Sequence, residues 1–118
     1  QIALCTAGVN QCDYCASAHS LMARNAGLTE QEVVSNLAGK SKDRQSQSAL
    51  TFVSRILTKR GNIREEDLID IRDAGFSEAE IVEIVANTIM NVFTNYFNHI
   101  AKTVIDFPVV STANLNTV

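Results

Sequence analysis

The sequence predicts an all-α fold: one domain over residues 1–118, built as a bundle of about six helices. Three observations predict it. Apolar residues recur at helical spacing nearly throughout, and no strand pattern is visible. Pro108 is the only proline, so nothing upstream of it forces a helix to break. Glycines stand mostly where helices should end, and three helix starts carry the capping-box pattern of a small polar residue followed three positions later by Glu.

Taken in order, Ile2 to Val9 reads as the back half of a buried helix whose front lies upstream, because the chain opens without Met in an apolar run. An upstream targeting segment stays open. Asn10 is the expected N-cap of a second helix over about Gln11 to Ala26. Gly27, able to take the left-handed conformation, ends it. Thr29 with Glu32 opens a short helix to about Leu37. The polar stretch Gly39 to Gln47 leads into a helix carrying Ala49, Leu50, Phe52, Val53, Ile56 and Leu57, which Gly61 stops. Asn62 with Glu65 starts another, ended by Gly75. Ser77 with Glu80 caps the last and longest helix, to about Lys102. The tail from Pro108 to Val118 is rich in Ser, Thr and Asn and is expected to be extended or loosely held. Asn25 to Val34 echoes Asp73 to Val82, and the plain reading is two αα-corners with the same punctuation.

The last helix is apolar on more than one face, through Ile81, Val82, Ile84, Val85, Ile89, Met90, Val92, Phe93, Tyr96, Phe97 and Ile100. A helix apolar all round is buried. Either the other helices wrap it, or copies of the chain cover it; a homo-oligomer is the expectation.

At 118 residues with 46% hydrophobic and 19% charged residues, the chain is long enough and apolar enough to bury a core without a disulfide framework. A net charge of −3 without a basic cluster argues against nucleic-acid binding. No stretch reads as a membrane span. Three cysteines are too few and too odd for a secreted disulfide scaffold, which points to a reducing, cytoplasmic setting with a working thiol pair.

That pair is Cys12 and Cys15, in the run Cys-Asp-Tyr-Cys-Ala-Ser-Ala-His that ends at His19. On a helix at about 100° per residue the three side chains fall within roughly 60° of one another. Thiols three residues apart can close a disulfide. At a helix start, unpaired N–H groups and the helix dipole favour a thiolate. A neutral histidine can take the thiol proton. One thiolate can then attack a peroxide oxygen to give a sulfenic acid, the other can condense with it to a disulfide, and a dithiol donor can reset the pair. Proximity to His19 favours Cys15 as the attacking thiol, and the dipole favours Cys12; the specific base carries more weight. The rival chemistry is a metal or redox-sensing module, with Cys12, Cys15 and His19 as ligands and His99 or an outside group as the fourth. A haem site is excluded because Ala16, not His, follows the second cysteine. The remaining candidates have plainer roles: Cys5 in the core, His99 and Ser17 on helix surfaces, Tyr14 packing or shaping a pocket, and Asp13 stabilising the helix start.

The run Val9 to His19, with Ala26-Gly-Leu-Thr-Glu30, resembles the alkylhydroperoxidase D-like family of the carboxymuconolactone decarboxylase superfamily. Asn95-Tyr-Phe-Asn-His99 and Asp106-Phe-Pro108 resemble the closing segment of many members. The resemblance implies an all-helical fold, with the Cys-x-x-Cys at the start of the second helix, assembling as trimers or hexamers. It also implies peroxide reduction without a bound cofactor or metal: Cys15 attacks the hydroperoxide, Cys12 resolves, and His19 belongs to a proton relay. The implied electron donor is a dithiol carrier such as a lipoyl or thioredoxin-like protein. In one respect the sequence departs from the pattern. The relay glutamate, about three turns before the first cysteine, falls at Gln1 or just before it, and glutamine accepts no proton.

Overall fold

The computed structural model describes residues 1–115; the end of the expected loose tail, residues 116–118, lies outside the described residues. Six helices follow in order: α1 (Ile2–Val9), α2 (Asp13–Asn25), α3 (Glu30–Leu37), α4 (Arg44–Lys59), α5 (Glu65–Asp73) and α6 (Glu78–Ala101). Among the described residues there is no strand.

The short α1 is the centre of the bundle. Leu4 to Gly8 are buried, and the helix packs against α2, α3, α4 and α6. Its sequence allows this because its one polar side chain is satisfied internally, the Thr6 hydroxyl donating to the Ile2 carbonyl at 2.8 Å. Small residues at positions 7 and 8 let neighbours approach. A Cβ on Gly8 would lie 2.9 Å from the carbonyl carbon of Leu37 and nearer still to its oxygen, so α3 rests directly on the α1 backbone. Two apolar clusters flank α1. One joins it to α4, α5 and α6 through Cys5, Leu50, Val53, Ile71 and Ile81. The other joins it to α2 and α3 through Leu4, Ala16, Val33 and Leu37, and contains Cys12 and Cys15.

Local chemistry sets the helix starts. Thr29 with Glu32, and Ser77 with Glu80, form capping boxes as expected. Helix α4 begins inside the polar stretch, because the Asp43 carboxylate accepts from the Ser46 N–H at 2.8 Å. Helix α5 starts two residues later than Asn62 suggested. Asp67 accepts the Arg64 N–H at 2.9 Å, while the Asn62 amide donates to the Lys59 carbonyl. The buried Asp67 is also held by Arg55 at 2.6 Å, which ties α4 to α5. The echoed segments fold as matching αα-corners, and in each an arginine bridges to a glutamate across the turn: Arg24 to Glu30 and Arg72 to Glu78.

Helix α6 is not the wrapped central helix. Its buried seam runs through Ile81, Ile84, Thr88 and Asn95, whereas Val82, Ile89, Met90, Phe93, Tyr96, Phe97 and Ile100 stay exposed. Past Ala101 the chain turns through Lys102 in the left-handed conformation (φ 49°) and crosses α2. There Phe107 meets the Tyr14 ring edge-on at 5.6 Å. The Val110 N–H donates to the Ser17 hydroxyl at 2.8 Å, and both the N–H and the hydroxyl of Thr112 donate to Asp13.

Candidate active site

The site is built at the corner between α1 and α2. Asn10 is helical (φ −84°, ψ −1°) and closes α1, so it does not cap α2. Gln11 turns the chain through the left-handed region (φ 54°), and Cys12, extended at φ −95° and ψ 95°, is the N-cap. The expected Asn10 cap fails because an asparagine suits a helix end as well as a helix start. The Cys12 sulfur takes the capping position and accepts from the Cys15 N–H at 3.3 Å. The Asn10 amide instead donates to the Asn95 side chain at 3.0 Å.

One turn into α2, Cys15 pairs with Cys12 as a disulfide, with Cα atoms 5.3 Å apart. Both cysteines are buried, at 1% and 3% exposure. His19 follows one turn further on the same face and is half-buried. Burial lowers its pKa below the ordinary value, and the nearby Asn91 side chain opposes this in part. The imidazole is therefore neutral at pH 7, the form that accepts a proton.

His99 does not join the cluster. Its Nε2 donates to the Gln11 carbonyl at 3.2 Å and steadies the corner. Among the described residues no group of three or more His, Cys, Asp or Glu side chains converges to hold a metal ion, so the metal-binding alternative gains no support. Cys5 is buried on the opposite side of α1, its sulfur 3.5 Å from the Ser54 hydroxyl, and burial pushes its thiol pKa up. Ser17 is a correction: it is fully buried, donates to the Asp13 carbonyl at 2.7 Å and accepts from Val110. Asp13 sits at the helix start as expected, but its carboxylate also anchors the C-terminal segment.

Helix α6 supplies what the sequence reading missed. The Asn98 Nδ2 donates to the Cys15 sulfur at 3.5 Å, and the Asn91 side chain lies close enough to His19 to influence its pKa. Between them, Asn95 is fully buried, with its Nδ2 unpartnered among the described residues. The signal was available in the spacing. Ile81, Ile84, Thr88, Asn91, Asn95 and Asn98 follow alternating steps of three and four, so the seam turns from apolar to amide-bearing where α6 meets the cysteine corner.

A dithiol closed into a disulfide at a helix N-terminus, with a neutral histidine a turn away, defines a redox-capable thiol protein built on helices alone. The family model for the carboxymuconolactone decarboxylase family matches residues 2–52, from α1 into α4 and across the whole Cys12–His19 run. No curated protein and no solved structure matches the chain significantly. Over residues 2–52 the chain is similar to the carboxymuconolactone decarboxylase family, and that stretch carries the Cys12–Cys15 pair.

Proposed function

We propose that the protein is a thiol-dependent peroxidase that reduces small alkyl hydroperoxides through a Cys12/Cys15 dithiol–disulfide cycle. The observation that carries the reading is the closure of the pair on the helix N-terminus, one turn from a neutral His19. His19 takes the Cys15 proton. The Cys15 thiolate attacks a peroxide oxygen: the S–O bond forms, the O–O bond breaks, and the alkoxide leaves as the alcohol with the proton that His19 returns. Cys12, its sulfur already turned toward a backbone N–H, attacks the sulfenic acid as a thiolate. The S–S bond forms and the oxygen departs as water. A dithiol donor, a lipoyl or thioredoxin-like protein, supplies two electrons by exchange and leaves as its own disulfide.

Self-association belongs to the same reading. The exposed α6 face carries large apolar side chains from Val82 to Ile100, the kind of surface that marks an interaction site. A trimer or hexamer of this chain would cover it and close the site from solvent. Among the described residues no helix is long and apolar enough to cross a membrane, and a dithiol-reset pair suits the reducing cytoplasm.

Stopped-flow consumption of an alkyl hydroperoxide by the reduced protein tests the proposal. Cys15→Ser should abolish peroxide-dependent disulfide formation, and His19→Ala should slow it by about 100-fold. A wild-type rate no greater than that of free cysteine would sink the peroxidase reading.

A further inference from the structure

We propose that Asn98 is a catalytic residue whose side-chain amide holds the Cys15 sulfur in its thiolate form. The assignment rests on the reading of Cys15 as the attacking thiol.

The donor is identified by its own surroundings. Asn98 Nδ2 lies 2.9 Å from the Thr94 carbonyl and 3.5 Å from the Cys15 sulfur. A carbonyl oxygen accepts and never donates, so the atom facing Thr94 is the NH₂ and not the amide oxygen. One of its two hydrogens is engaged by Thr94, which leaves the second for the sulfur. The amide is pinned from the far side as well. Asn95 accepts from Asn10 and His99 donates to Gln11, so three consecutive contacts clamp the second half of α6 onto the corner that carries Cys12.

Three features make the contact one of function. The position continues the buried seam of α6, where an apolar residue would pack against a cysteine with no polar group to satisfy. The sulfur is buried, so a single N–H counts for more there than it would in water. The two cysteines are also served differently. The Cys12 sulfur has a backbone N–H from its own helix start, while the Cys15 sulfur meets no backbone N–H among the described residues and draws its donor from another helix. Both sulfurs are thus met by an N–H. The attacking thiolate of Cys15 is held before the peroxide arrives, and the same donor receives Cys15 as the leaving thiolate when an external dithiol attacks the Cys12 side of the disulfide.

The test measures the thiol directly. In a Cys12→Ser background, where serine keeps the N-cap, peptide-resolved alkylation of Cys15 by iodoacetamide is followed against pH. Asn98→Leu should raise the midpoint by about one pH unit, and so lower the rate about tenfold below the midpoint. Asn98→Asp, of nearly the same shape, should raise it at least as far, because it places a negative charge beside the sulfur. With both cysteines present, Asn98→Leu should make the disulfide about 30 mV more reducing, the equivalent of tenfold in the exchange equilibrium. Circular dichroism confirms that each variant is folded; if one is not, the other carries the comparison. Midpoints within 0.3 pH units of wild type, about twofold in rate, overturn the assignment. A shifted midpoint in a protein that consumes no peroxide upholds Asn98 as the thiolate donor and refutes the peroxidase reading alone.

Discussion

Gly8→Ala sets helix propensity against packing, and the two give opposite signs. Gly8 lies inside α1, where alanine is favoured over glycine by about 0.5–1 kcal/mol, so propensity alone predicts a more stable protein. The added Cβ, however, would lie 2.9 Å from the Leu37 carbonyl carbon and overlap its oxygen. Both atoms belong to backbone at the end of α3, which cannot rotate away as a side chain would. Overpacking of this kind costs about 1–3 kcal/mol, since two helices must part by about an ångström. The net expectation is a loss of about 1–2 kcal/mol, or about 4–8 °C in Tm for a domain of this size. Urea and thermal denaturation at one protein concentration, with the cysteines reduced, measure it free of disulfide and association effects. A variant as stable as wild type, or more so, would refute the close approach of α3 to α1. The consequence for function is direct, because α1 delivers the chain to Cys12, and a displaced α1 shifts the α1–α2 corner on which the cysteine pair sits.

With the Cys12–Cys15 disulfide formed, an aromatic disulfide reagent should find no fast-reacting thiol in the native protein and one in denaturant, since Cys5 is buried and its pKa is raised; fast native labelling of Cys5 would contradict its placement. Asp13→Ala removes a charged acceptor from two donors of Thr112, at about 1.5–3 kcal/mol per bond lost. Hydrogen exchange at the Val110 and Thr112 amides should rise at least tenfold, and unchanged protection would mean that the segment is held by other contacts. Because the folded pKa of His19 lies below its ordinary 6.5, the unfolded chain binds that proton more tightly. Its contribution to stability is present above pH 6.5 and is lost as pH falls through the folded value. An NMR titration of the His19 ring with a midpoint at or above 6.5 would reverse that sign.

What was legible in the sequence was what is decided locally. The boxes at Thr29/Glu32 and Ser77/Glu80 form as read, because each closes within four residues and needs nothing from the rest of the fold. Cys15 and His19 could be placed on one face for the same reason, since helical period alone aligns them, while Cys12 reaches them from the extended N-cap position. Local signals misled where two local uses compete. Asn10 fits a helix end or a helix start, and the left-handed turn at Gln11 decided for the end. Asn62 with Glu65 was the local reading of the start of α5, and the structure starts it at Arg64 instead, with the Asp67 carboxylate accepting the Arg64 N–H and pairing with Arg55. Ser17 looked like an ordinary surface residue because its partner, Val110, lies 93 residues away.

By itself the sequence determined the helical class, the order of the helices, and the spacing of Cys12, Cys15 and His19. All of these rest on short-range hydrogen bonding and periodicity. Only the tertiary structure decided that the small, apolar α1, rather than the longer α6, occupies the centre. The reason is steric: Ala7 and Gly8 let neighbouring backbones close on α1, whereas the bulky side chains of α6 hold an outer face away from the core. The tertiary structure also decided which groups touch the sulfurs. The amide on Cys15 comes from a residue 83 positions along the chain, brought there by the packing of α6 against the α1–α2 corner.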